Sequence, residues 1–229
     1  MAALQTLLIH GGALSHYGVA ATAFSRETLP VETRLSELLA ADPRPLTAPR
    51  PPQARALVTC RDYATLVCSA LRGHGRASRV RCGFAAYLGG SPWEDHWICE
   101  LWTGERWRRI DAQLDPVLQK ALGIEIAADE VPPTMFLTGH EAWRACRTTD
   151  LDPETLAHGD EASGLWFVAV NLVRDHLALA DQLTSEWDSW RSIGAKARTL
   201  PRPILAAADD LAAGGQLARS LQRPWWLAP

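Results

Sequence analysis

Cys60, His96 and Asp111 supply, in order along the chain, the side-chain types that nucleophilic acyl chemistry requires. Such chemistry needs a thiolate, a base that takes and returns a proton, and a group that orients that base. Cys60 stands where the extended run ALVT gives way to the amphipathic stretch CRDYATLVCSALR. The unpaired N–H groups and positive dipole end of a helix starting there favour a thiolate, and the Cys60 N–H is itself a candidate oxyanion donor. His96 follows Asp95 in a second extended run, and Asp111 closes a third.

The elements that must position these groups follow from periodicity. Ala64, Val67, Cys68 and Leu71 share one helical face over 60–72, and the glycines at 73 and 75 end it. RVRCGFAAYL, 79–88, has strand composition and is closed by GGSP. The runs 95–102 and 106–111 flank Thr103-Gly104, the signature of a β-hairpin. Side chains alternate faces along each strand, so loop length decides whether Asp111 can serve His96. A two-residue turn sets Asp111 directly opposite His96, and a four-residue loop makes it a diagonal neighbour on the same face. A three-residue loop puts the two on opposite faces. Directly opposite Cβ atoms lie ~4.5–5.5 Å apart and diagonal ones somewhat farther.

The rest of the chain frames this segment. Residues 1–42 read as weakly helical, with Leu35, Leu38 and Leu39 at helical spacing, and the proline-rich 42–52 reads as a linker or surface strap. Beyond Pro116 the pattern is helical: a short helix over 139–147, a longer one within 160–190 with Val170, Val173, Leu177 and Ala180 on one stripe, and a last one over 203–222. The expected fold class is α+β, as one domain over 1–229 with a catalytic core at about 53–118 and a helical part at about 134–229. No internal repeat or low-complexity tract interrupts it.

Composition narrows the chemistry. Lys+Arg 23 against Asp+Glu 26 leave a net charge of -3, which argues against a nucleic-acid partner held by phosphate neutralisation. Apolar runs fall short of the roughly 20 residues a membrane span needs, so no membrane partner is expected. The N-terminus lacks a basic region and breaks at His10-Gly11-Gly12, so no secretory signal is expected and the cytoplasm is the expected location. Five cysteines without a CxxC pair read as free thiols, and seven scattered histidines make neither a metal site nor a cofactor site. The ten tryptophans carry more information than the arginine bias, because each buries ~150–250 Å² and offers an indole N–H.

The stretch TCRDYATLVCSALRGHGRASRVRCGF, then DHWICELW, then RWRRIDAQLDP, resembles the bacterial transglutaminase-like superfamily, which shares the papain-like cysteine-protease architecture. The family pattern is a cysteine opening a helix, an R-x-x-G-I-P-A-R-type turn into a strand, an H-x-W-x-E strand and a W-x-x-x-D strand. The resemblance implies a Cys-bearing helix on an antiparallel sheet, with Cys60, His96 and Asp111 at the three catalytic positions. Arg72 to Arg79 match the turn, with His74 and Ser78 replacing the usual residues. Trp97 follows the histidine immediately, and Asp115 offers a second carboxylate. GLWFVAVNLVRDHLAL and EWDSW echo bacterial relatives more weakly.

Each candidate has a plainer reading beside it. A free cysteine is most often a buried small hydrophobe, which describes Cys68, Cys82, Cys99 and Cys146. Glu100 reads as a cross-strand ion pair with Arg108 or Arg109, Asp62 as a first-turn acid, and His74 as a turn residue. Of Trp93, Trp97, Trp102 and Trp107, half or more read as core; Trp93 and Trp97 are the substrate-binding candidates. Asn171, Arg174 and Asp175 read as a solvated helix face. The expected activity is acyl transfer from a small-molecule, peptide or carrier-bound amide or thioester, resolved by water or by an amine. The alternative is a non-catalytic binding module on the same fold.

Overall fold

Asp62 starts the helix that carries Cys60: its carboxylate accepts from Thr59 N and from Thr59 Oγ1, each at 2.9 Å, closing a capping box over the first turn. The computed structural model describes residues 1–23, 25–27, 30–193 and 198–227, so the expected helical part at 134–229 includes six residues, 194–197 and 228–229, outside the described ones. The chain divides into two units, Met1–Val80 with Trp97–Pro132 and Arg81–His96 with Pro133–Pro229.

In the first unit, α1 (Ala2–Leu7) runs directly into β1 (Leu8–His10), and α2 (Val31–Ala41) follows. β2 (Ala56–Val58) pairs in parallel with β1 and leads through Thr59 into α3 (Cys60–Gly73). The unit also holds the start of β3 (Ser78–Ala85), the end of β4 (Trp93–Trp102), β5 (Trp107–Ile110) and α4 (Pro116–Leu122). Trp102 N donates to Ala77 O at 2.9 Å beside the start of β3. α3 buries Tyr63, Ala64, Leu66, Val67 and Cys68, while Leu71 stays half-buried. Arg34 of α2 meets Asp62 at 3.0 Å, tying the cap of α3 to the neighbouring helix.

The expectation that 1–42 is weakly helical is corrected at β1; residues 24, 28 and 29 of that stretch lie outside the described ones. Leu8 and Ile9 are fully buried, and their pairing with residues far along the chain overrides local propensity. In the proline-rich strap that follows α2, Arg50 Nη2 donates to the carbonyls of Leu38 and Asp42 at 3.0 and 2.9 Å.

In the second unit the strand order is β6 (Phe136–Thr138), β3, β4, β7 (Leu156–His158), β8 (Ala162–Ser163). β3 pairs antiparallel with β6, but β4 pairs in parallel with β7, so the sheet is mixed where an antiparallel one was expected. These two- and three-residue strands are too short to show alternation, which is why residues beyond Pro116 read as purely helical. α5 (Gly139–Thr148) begins with a capping box between Thr138 and Glu141. α6 (Leu165–Leu179) is buried on nearly every face and carries the core with Phe84, Trp143, Leu156, Trp187 and Trp190. α7 (Arg202–Ala212) ends ten residues before the expected limit, and Ala213 and Gly214 close it. No helix among the described residues is long and apolar enough to cross a membrane.

Candidate active site

Cys60 is the first residue of α3 and is half-buried, whereas Cys68, Cys82 and Cys99 are buried. The buried thiols are engaged by packing and hydrogen bonds. Cys68 Sγ lies 3.4 Å from Ser78 Oγ, and Cys82 Sγ lies 3.4 Å from Asn171 Oδ1. The Cys99 thiol is pushed far up by its hydrogen bond with Cys68 and by burial. Cys146 is half-buried, and burial followed by the charge of Asp152 pushes it up to about 11, so little of it is thiolate near neutrality.

Asp111, also in the first unit, follows β5 directly and is 1% exposed. Gln113 N donates to its Oδ1 at 2.9 Å, and Asp111 N donates to Ala128 O at 2.7 Å, which fixes the backbone on both sides of the carboxylate. The β4–β5 register pairs Trp102 with Trp107 and Cys99 with Ile110, so the hairpin has the four-residue loop Thr103–Arg106. Gly104 takes a positive φ in that loop, and Thr103 N donates to Arg106 O at 3.0 Å.

Tyr63 stands one helical turn after Cys60 on α3. The Tyr63 hydroxyl is held well above its ordinary range by burial first, then by Tyr17, Asp115 and Asp111, with Arg55 opposing. Asp115 has a separate task as the N-cap of α4: its Oδ1 accepts from Leu118 N at 2.9 Å.

Glu100 forms the cross-strand ion pair expected of it, with Arg109 at 3.4 Å and with Arg79 at 2.7 Å. Arg79 also lies 3.9 Å over the Trp107 ring, and Trp107 lies 5.4 Å from Trp102, which is exposed. Trp97 is buried beneath Arg61, whose guanidinium is 5.2 Å from its ring. His74 caps the end of α3 with Nδ1 2.8 Å from Ala70 O.

His96 is the last residue of its segment in the second unit and is 1% exposed, with its ring 6.2 Å from Tyr87 in an edge-on arrangement. Trp93 packs against the core of that unit. The preceding Asp95 is anchored from α6 and β7: Asn171 Nδ2 donates to it at 2.9 Å, Arg174 lies at 3.5 Å and His158 at 3.4 Å. Burial would raise the Asp95 carboxyl, but Arg174 and His158 outweigh it and hold it below the usual carboxylate range.

The expected solvated face of α6 is overturned here. Asn171, Arg174 and Asp175 are all buried, and their polar groups meet one another and neighbouring strands: Arg174 bonds Asn171 and Asp188, and Asp175 bonds Arg81, His140 and Cys82 N. A helix wrapped by core on every side must pair its polar residues internally. Among the described residues no group of three or more His, Cys, Asp or Glu stands where it could hold a metal ion.

Residues 44–112, which contain Cys60, His96 and Asp111, match the family model described as the transglutaminase-like superfamily. Its α+β architecture agrees with such a core. No curated protein and no solved structure matches the chain.

Proposed function

We propose that the protein is a cysteine-dependent acyl-transfer enzyme in which Cys60 is the nucleophile, His96 the base and Asp111 the orienting acid. The observation that carries this reading is the placement of Cys60: a half-buried thiol on the first residue of a capped helix, inside the transglutaminase-like segment. The hairpin register supports the other two assignments. Carried one residue past the Cys99–Ile110 pair, it sets Asp111 opposite Ile98, and alternation along β4 gives His96 the face of Ile98. A three-residue loop would have argued against the pair.

The reaction follows from those roles. His96 takes the Cys60 proton, Sγ bonds the carbonyl carbon of an amide or thioester, and the C=O electron pair moves onto oxygen. Collapse of that oxyanion breaks the bond to the leaving amine or thiol, to which His96 returns the proton. Water or an amine then takes the acyl group by the same steps in reverse. Small-molecule, peptide or carrier-bound acyl groups fit this chemistry, with Trp93 and Trp97 as candidate lining residues. The five free cysteines suit a reducing compartment such as the cytoplasm.

The test is a Cys60→Ala protein. Its melting temperature should stay close to wild type, because truncating one half-buried thiol costs only a modest part of the stability, while turnover of any identified amide or thioester substrate disappears. Retained turnover with an intact fold overturns the assignment.

A further inference from the structure

β7 pairs with β4 at Trp93 and Glu94, and β5 pairs with it from Cys99 to Trp102, so His96 lies between these two ladders. The residue before it is held by other means. Asp95 sends its carboxylate into the second unit toward α6, and alternation along the strand turns the His96 imidazole the other way, where it meets Tyr87 edge-on.

What Asp95 meets is a closed ring of three side chains. Asn171 Nδ2 donates to Asp95 at 2.9 Å, Arg174 Nη1 donates to Asn171 Oδ1 at 2.7 Å, and the same Nη1 stands 3.5 Å from the Asp95 carboxylate. The ring is buried, and each member is secured from outside it. Asp188 pairs with Arg174, His158 Nδ1 stands 3.4 Å from Asp95, and Gly139 brings α5 against the Asn171 backbone. One amide orientation serves all its neighbours: the Asn171 oxygen faces the guanidinium and Cys82 Sγ, and its nitrogen faces the carboxylate. The arginine supplies charge at a distance longer than a hydrogen bond, which attracts the carboxylate without fixing its place. The short, directional bond from Asn171 is what fixes it.

We propose that Asn171 is a positioning residue for His96, acting through Asp95: its amide pins the carboxylate one residue before the imidazole and so sets where β4 holds the base. This rests on His96 being the base and Cys60 the nucleophile. Asn171 touches neither substrate nor proton in this role. Proton transfer stays with His96, and an asparagine buried in a helix otherwise lined by core acquires a reason.

Two probes separate this role from a structural one. p-Nitrophenyl acetate at about pH 7 gives a nitrophenolate burst that needs a base to free the thiol, whereas at about pH 10 hydroxide ionises the thiol for iodoacetamide without that base. In Asn171→Ala the burst should slow by about 10- to 100-fold, the loss that a small misplacement of a catalytic group brings, while Cys60 alkylation at the higher pH stays within about two-fold of wild type. Made in a His96→Ala protein, the same substitution should change the remaining burst by less than about two-fold, since no imidazole is left to misplace. Asn171→Asp keeps the side-chain size and the bond from Arg174 but sets a carboxylate against Asp95, so it should slow the burst at least as much and serves if Asn171→Ala does not fold. An unchanged burst in a folded Asn171 variant, or equal losses with and without His96, overturns the proposal and leaves the base assignment standing. A burst unchanged by His96→Ala, or one that survives Cys60→Ala, overturns the reading of the site itself and the proposal with it.

Discussion

Arg81 and Asp175 meet through two parallel hydrogen bonds in the interior of the second unit, Nε and Nη2 each 2.7 Å from a carboxylate oxygen, with Asp175 fully buried. His140 Nδ1 lies 2.8 Å from the same carboxylate, and Cys82 N donates to it at 3.2 Å. The pair ties the β3 backbone to the centre of α6. Asp175 has the sequence pattern of a solvated helix face, and its burial comes from this pairing with Arg81.

This arrangement predicts acid sensitivity of the second unit. Burial pushes the Asp175 carboxyl up, but its bonds and attraction to Arg81, then His140, outweigh that and hold it below its ordinary value; Asp95 is depressed in the same way. A carboxyl depressed in the folded state contributes stability that is present above the unfolded value, about 3.9, and lost as pH falls through the folded one. Urea midpoints should therefore decline steeply below about pH 4. Asp175→Asn should flatten part of that decline and cost ~3–5 kcal/mol at neutral pH, because it leaves the Arg81 guanidinium buried without its counter-ion. Identical acid slopes in the two proteins would show that Asp175 is not depressed.

The two aspartates near the end of β5 should behave differently. Asp111→Asn should keep the fold and cut turnover by ~10⁴-fold, since an amide favours the wrong imidazole tautomer. Asp115→Asn retains an N-cap oxygen for Leu118 N but loses the charge paired with Arg55 at 3.8 Å, so stability should fall while turnover barely changes. Comparable losses of turnover in both variants would transfer the orienting role away from Asp111.

Two glycines give a control for packing. A Cβ on Gly139 would collide with the backbone carbonyl of Asn171, where α5 lies against α6. Backbone cannot move aside cheaply, so Gly139→Ala should cost at least ~1–3 kcal/mol and lower the melting temperature by several degrees. Gly73, at the end of α3, has nothing within 4 Å of such a Cβ, and Gly73→Ala should be neutral or slightly stabilising. Equal melting of the two variants would contradict the close approach of α5 and α6.

The parts of the structure legible in the sequence are those written locally. The helix at Cys60 showed in its apolar spacing and its acidic first turn, and the hairpin showed in Thr103-Gly104, although only pairing could choose the four-residue loop over the two-residue one. What could not be read depends on distant partners. β1 is a strand because β2 lies beside it, and the three residues of β7 are a strand because β4 does. α6 carries Asn171, Arg174 and Asp175 at positions that look solvated, and partners from elsewhere in the chain, Asp95, Asp188 and Arg81 among them, explain why they are buried.

The most direct measurement is to locate the acyl group. The protein would be quenched in acid seconds after mixing with an activated acyl ester, its mass read intact, and the modified peptide sequenced by fragmentation. One acyl group per chain, carried by Cys60 and absent from Cys60→Ala, is the predicted result. An acyl group on Cys146 or another residue with Cys60 unmodified would contradict the account.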